Sequence, residues 1–157
     1  MEEYVFTSVK STGYKLLILE TDDGKTVRRE GGTVAWRCNN PGNLKFSPFS
    51  QNLGAIGKDI NGHAVFPTIE HGNQARYTLL FLDTSRYFNR SLYETISIYA
   101  PASDGNDVDW YVSQIERTTG INRNTRLCDL SPEQRNKLLE SMKTVEGFQA
   151  GSERIEE

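Results

Sequence analysis

Hydrophobic positions fall into two regimes along this chain. In the first third they form short runs rich in β-formers, Tyr4–Val9 and Tyr14–Glu20, and Asp22-Asp23-Gly24 separates the second run from Thr26-Val27. Runs of this length around an Asp-Gly turn predict a β-hairpin region over residues 1–29. Between Glu30 and Gly62 the pattern lapses, and the stretch holds six of the thirteen glycines, Pro41, Pro48 and five asparagines. Such residues supply the left-handed and fixed dihedrals of turns, so the segment reads as one long loop, and loops of that length usually serve function. The run His63–Phe66 predicts a short strand that closes it.

From Thr68 onward the apolar spacing becomes helical. Thr68 is placed to cap a helix running to about Leu82, with Glu70 in its first turn. Ser91 and Glu94 have the spacing of a capping box, for a short helix ended by Ala100-Pro101. Asn106 or Asp107 opens a third helix, with Val108, Tyr111, Val112 and Ile115 on one face and Gly120 as its stop. Ser131-Pro132-Glu133-Gln134 opens the last: a cap, a proline at the first helical position and a glutamine at the third. Leu138, Leu139, Met142 and Val145 form its apolar face, and Gly147 follows Glu146 as its C-cap. Strands followed by helices predict an α+β fold, mainly helical, in a single domain over 1–157, with a charged flexible tail at 151–157.

Composition narrows the function classes. Hydrophobic residues make up 36% and charged residues 25%, too apolar for disorder, while the longest apolar stretches, Leu16–Leu19 and Leu79–Leu82, are core-sized. No membrane partner is expected. A net charge of −3 gives no reason to expect a nucleic-acid partner. Cys38 and Cys128 stand 90 positions apart, outside any metal-ligand spacing, so no metal or other cofactor is expected, and whether the two are bonded is left open. The start, Met1-Glu2-Glu3-Tyr4, is acidic where a secretory signal is basic. Synthesis in the cytoplasm without a signal peptide is the expectation.

Four features could carry chemistry. Trp36-Arg37-Cys38-Asn39-Asn40-Pro41-Gly42-Asn43-Leu44 is either a structural turn or a rigid loop that turns amides toward a carbohydrate beside a stacking tryptophan. Glu146 is either a solvated helix-end charge or a general acid: the negative end of the helix dipole and the neighbouring Phe148 would both favour its protonated form. Cys38 with His63 or His71 could form a nucleophilic pair, or Cys38 could be a small buried hydrophobe. Glu30, before Gly31-Gly32, is a second carboxylate for glycosidic chemistry or a solvated charge ending a strand.

Taken together these residues resemble a family of small peptidoglycan-associated modules found in phage virion proteins and secreted antibacterial proteins. The similarity runs through Gly31-Gly32-Thr33, Trp36-Arg37, Asn39-Asn40-Pro41-Gly42-Asn43-Leu44, Gly54-Ala55-Ile56-Gly57 and Phe66-Pro67-Thr68. It continues with Gly72, Tyr99-Ala100-Pro101, Asn106, Tyr111, Gly120 and Val145-Glu146-Gly147-Phe148, covering roughly 30–150. Cys38 departs from the family pattern, which has Asn there. The order of Asn/Gly loop and Glu-Gly-aromatic segment is also similar to a circularly permuted lysozyme-like plan.

The resemblance implies a lysozyme-like module, with a hairpin region before it, that cleaves glycan strands of bacterial peptidoglycan as a muramidase or lytic transglycosylase. Glu146 would be catalytic, with Glu30 as the second carboxylate. Trp36, Arg37, Asn39, Asn40, Asn43, Glu70 and Tyr99 would bind substrate. Action in the periplasm or wall of a target bacterium implies secretion or virion machinery as a partner, and an immunity protein in the antibacterial case. The alternatives are a noncatalytic wall-binding or virion structural module and a Cys-His amidase that cuts peptide stems.

Overall fold

Three of the four strands in the main sheet come from the β-forming start of the chain. The protein is described over residues 4–156 by a computed structural model; Met1-Glu2-Glu3, the acidic start noted above, and Glu157 lie outside the described residues. Contacts divide the chain into two compact units where the sequence reads as one domain. The first takes in the chain up to Arg76 and again from Phe148 onward, and the second is Tyr77–Gly147.

In the first unit, β1 (Phe6–Gly13), β2 (Leu16–Thr21), β3 (Thr26–Glu30) and β6 (Ser152–Glu156) form an antiparallel sheet in the order β1-β2-β3-β6. Leu17, Leu19 and Thr21 alternate inward along β2. Together with Phe6, Val27, Cys38 and Val65 the two leucines form the core of this unit, each side chain excluded from water.

The expected flexible tail is therefore corrected: residues 152–156 are the fourth strand. Ile155 pairs with Val27 in the β3–β6 ladder, and Glu153 and Glu156 reach Arg29 and Arg28 at 2.6 and 3.1 Å. The charges that suggest a solvated tail are cross-strand partners for the two arginines of β3.

The long loop is also more structured than expected. It contains α1 (Val34–Arg37) and α2 (Pro48–Asn52), followed by β4 (Gly57–Lys58), which pairs with β5 (Ala64–Val65). Thr33 caps α1, its hydroxyl accepting from the Trp36 amide. Ser47 and Ser50 form a reciprocal capping box around Pro48 for α2. Each helix is little more than one turn, so a helical apolar period has no length over which to show.

The helix expected from Thr68 begins as α3 (Ile69–Tyr77), and the His71 amide donates to Thr68 Oγ1. In the second unit the chain continues as a π-helical turn, Thr78–Leu82, closed by Asp83 N–H donating to Thr78 O. Leu79, Leu80 and Phe81 are all buried there. Then follow α4 (Leu92–Tyr99), α5 (Val108–Thr119) and α6 (Pro132–Glu146). Capping boxes at Ser91/Glu94 and Ser131/Gln134 start α4 and α6, Asp107 starts α5, and Gly120 at φ 75 ends α5. The core of this unit is built from Ile96, Val112, Ile115, Leu138 and Met142 with their neighbours, and Val145 packs at its margin. Among the described residues no helix is long and apolar enough to cross a membrane.

Candidate functional site

The first unit holds a cavity of about 370 Å³, within the range ligand pockets take. Arg29 of β3, Trp36 of α1, Asn39, Glu70 of α3 and Glu153 of β6 all line it. Their arrangement follows from a few close approaches. Gly31 and Gly32 take φ of 74° and 64°, and a Cβ on Gly32 would lie 2.5 Å from both Gln149 O and Gly151 N. Only glycine at residue 32 lets the returning segment before β6 lie against the turn after β3. Thr33 N–H donates to Gln149 O at 2.9 Å and fastens it there. On the other side α3 docks onto the Asn loop: Gly72 faces the Asn39 carbonyl directly, which brings the first turn of α3, and Glu70, to the cavity.

Arg29 is the hub. Its guanidinium lies 4.9 Å from the Phe6 ring centroid and 4.8 Å from that of Trp36. Nε donates to Glu153 at 2.6 Å, and Nη1 to Trp36 O at 2.7 Å and Asn39 Oδ1 at 3.0 Å. The stacked rings and charge-assisted hydrogen bonds hold one wall of the cavity rigid. Sequence reasoning misses Arg29 and Glu153, because 124 positions separate them and only the β3–β6 pairing brings them together.

Of the residues expected to bind substrate, Trp36, Asn39 and Glu70 line this cavity. The others have different work. Arg37 is buried and Nη1 donates to Gly31 O and Gly32 O, both at 2.7 Å, so it pins the glycine turn. Asn40 is fully buried, its Nδ2 donating to Leu44 O and Ala64 O and its Oδ1 accepting from Leu44 N–H. Both are corrected to structural roles, since a buried amide or guanidinium spends its hydrogen bonds on the backbone it holds. Asn43 is exposed at φ 51 and does not line the cavity. Asn39 at φ 51 lines it, but its amide is occupied: Nδ2 donates to Phe66 O and Oδ1 accepts from Arg29.

Glu30 ends β3, exposed, 3.5 Å from Arg28 Nε and away from the cavity lining. Its exposure and its ion pair with Arg28 match the alternative reading of a solvated strand-end charge. Tyr99 and Glu146 belong to the second unit. Tyr99 ends α4 and meets Tyr87 edge-on, ring centroids 6.4 Å apart. Glu146 is half-buried and is the last residue of α6, where Gly147 at φ 83 stops the helix.

Cys38 does not have the geometry of a nucleophile. It is fully buried, and the Asp59 carboxylate lies 4.0 Å from Sγ. Burial first, then Asp59, push the thiol up to about 12. His63 bonds the same Asp59 through Nδ1 at 3.1 Å, and His71 Nδ1 bonds Thr68 Oγ1 at 2.7 Å. With a carboxylate as its ionic neighbour, the thiolate is disfavoured rather than generated, which weighs against the amidase alternative.

No protein-family model matches the sequence, and no curated protein matches it significantly. What the fold and the site define is an α+β protein with an antiparallel sheet that carries an aromatic, carboxylate-bearing cavity.

Proposed function

We propose that this protein is a peptidoglycan glycosidase: the first unit binds glycan through the cavity around Trp36, and Glu146, argued separately from its own helix end, is the proton donor. The observation that carries the reading is the convergence of Trp36 and Asn39, from one stretch, and Glu70, from α3, on one cavity of ligand size. An aromatic wall beside a carboxylate acceptor suits a sugar ring, whose C–H face stacks and whose hydroxyl and amide N–H groups donate. Glu146 supports the catalytic half from its own helix: it is the half-buried last residue of the 15-residue α6, and a carboxyl there is the kind of group a proton donor requires.

The chemistry we favour is the one that needs a single carboxylate, with Glu146 as that group. In a lytic transglycosylase Glu146 protonates the glycosidic oxygen, a hydroxyl of the same sugar attacks the anomeric carbon, and its proton returns to the carboxylate as the ring closes. The products are a strand with a free hydroxyl end and one with an internal anhydro end. The binding-only alternative is favoured by the cavity itself, which gathers groups suited to holding a sugar, Trp36, Asn39 and Glu70, without Glu146 among its lining residues.

The test is mass spectrometry of sacculi digested by the wild type, Trp36→Leu and Glu146→Gln. Anhydro ends with the wild type, weakened sacculus binding with Trp36→Leu, and retained binding without products with Glu146→Gln support the proposal. Binding by all three without any cleaved product leaves a wall-binding module, and released stem peptides revive the amidase.

A further inference from the structure

The charges around the cavity are unbalanced in a way that names a ligand group. Among the described residues, one cation and two carboxylates line it, Arg29, Glu70 and Glu153. Arg29 and Glu153 neutralise each other at 2.6 Å, and the guanidinium is further engaged by two aromatic rings, the Trp36 carbonyl and the Asn39 amide oxygen. Glu70 is exposed and has no hydrogen-bond or ion-pair partner among the described residues. One uncompensated negative charge thus stands on a cavity that also has the rings of Tyr4, Trp36 and Phe148 in its lining. Aromatic faces carry a negative quadrupole, so rings and carboxylate attract a cation together, and both repel a carboxylate.

Resting on the reading of this cavity as the wall-binding site, we infer that it is a subsite for an ammonium-bearing group and that Glu70 sets this selectivity. Two parts of a wall polymer carry such a group: an amino sugar that has lost its acetyl, and the side-chain amine of a stem-peptide residue. A neutral N-acetylated sugar fits the same space with a weaker attraction, and a carboxylate-bearing sugar is rejected. The volume of about 370 Å³ suits one ring or one amine-bearing side chain rather than a length of strand.

The chain has two tryptophans, Trp36 and the exposed Trp110 of the second unit, so a Trp110→Phe protein reports on Trp36 alone. Glucosamine, N-acetylglucosamine and an Nα-acetyl-lysine amide are titrated into it at about pH 6, where amines are protonated and carboxylates ionised. The same series is run with Glu70→Gln added, an isosteric change at an exposed position. The inference expects glucosamine or the lysine amide to bind roughly three- to thirtyfold more tightly than N-acetylglucosamine, the range a cation gains over aromatic faces. It also expects Glu70→Gln to remove that preference by weakening the two ammonium-bearing probes more than N-acetylglucosamine, for which the glutamine keeps one acceptor oxygen. Preference for glucosamine alone assigns the amine to the sugar, and preference for the lysine amide alone assigns it to the stem peptide. If N-acetylglucosamine binds as tightly as glucosamine, with or without Glu70, the ammonium inference is overturned and the glycan reading stands. Binding of the lysine amide with no sugar binding keeps the inference and overturns the glycan reading. Silence from all three probes overturns both.

Discussion

Gly72 stands so close to Asn39 that a Cβ placed on it would lie 1.9 Å from the Asn39 carbonyl oxygen and 2.8 Å from Pro41 Cδ. The contact joins α3 to the Asn loop with no side chain between them, and the cavity depends on it because Glu70 and Asn39 come from its two sides. Gly72→Ala must push the helix away from backbone that cannot yield cheaply. The expected cost is about 1–3 kcal/mol, a fall in Tm of roughly 3–10 °C for a chain of this size. Thermal unfolding measures it, and an unchanged Tm contradicts the contact.

The two ion pairs between β3 and β6 differ in burial, and so should their worth. Arg29 and Glu153 have side-chain exposures of 11% and 25%, against 26% and 34% for Arg28 and Glu156. Glu153→Ala strands a guanidinium held between rings and should lower unfolding free energy by about 1.5–3 kcal/mol, the range for a hydrogen bond to a charged group. Glu156→Ala should cost less than about 1 kcal/mol. Urea unfolding of the two variants checks the order, and a reversed order rules out Arg29 as the hub.

Alkaline stability should carry the signature of Cys38. Its thiol is held up to about 12 from about 9, so the folded protein keeps this proton over a range in which the unfolded chain loses it. The stabilisation is complete below pH about 9 and is lost as pH rises toward 12, at up to about 1.4 kcal/mol per pH unit for one proton. Cys38→Ala lacks this dependence, so its stability deficit against the wild type should shrink above pH 9. Curves that stay parallel count against the buried thiol. In the native protein the partly exposed Cys128 should react with a thiol reagent and Cys38 should not.

Loss of general acid catalysis costs ~100-fold or more in rate, and Glu146→Gln should show at least that in release of soluble wall fragments. Glu146→Gln keeps the size of the half-buried side chain at the end of α6, so the variant should still unfold in one cooperative transition, which thermal unfolding checks. An unaffected rate removes Glu146 from the chemistry.

Much of the architecture is legible in the residues because its determinants are local. Ser91 with Glu94, Asp107, Ser131-Pro132 with Gln134, and Gly120 act on backbone groups within four positions of themselves, so their helices start and stop where the sequence says. The inward alternation of Leu17 and Leu19 is likewise a property of one strand. The candidate site was legible only as a set of suspects. Trp36, Asn39, Asn40 and Arg37 are equivalent in sequence, all polar or aromatic residues of one turn-rich stretch. Only the fold decides that Asn40 is spent on Leu44 and Ala64 and Arg37 on the glycine turn, while Trp36 lines the cavity. The same holds for Glu153, whose position in an acidic tail says solvent until β3 supplies a ladder and Arg29 a charge. The sequence by itself therefore determined the elements, through interactions that reach a turn or less. Which side chains line the cavity was decided by tertiary contacts of longer reach, Asn40 to Ala64, Gly72 to Asn39 and, across 124 positions, Arg29 to Glu153, and those exist only once strands and helices have packed.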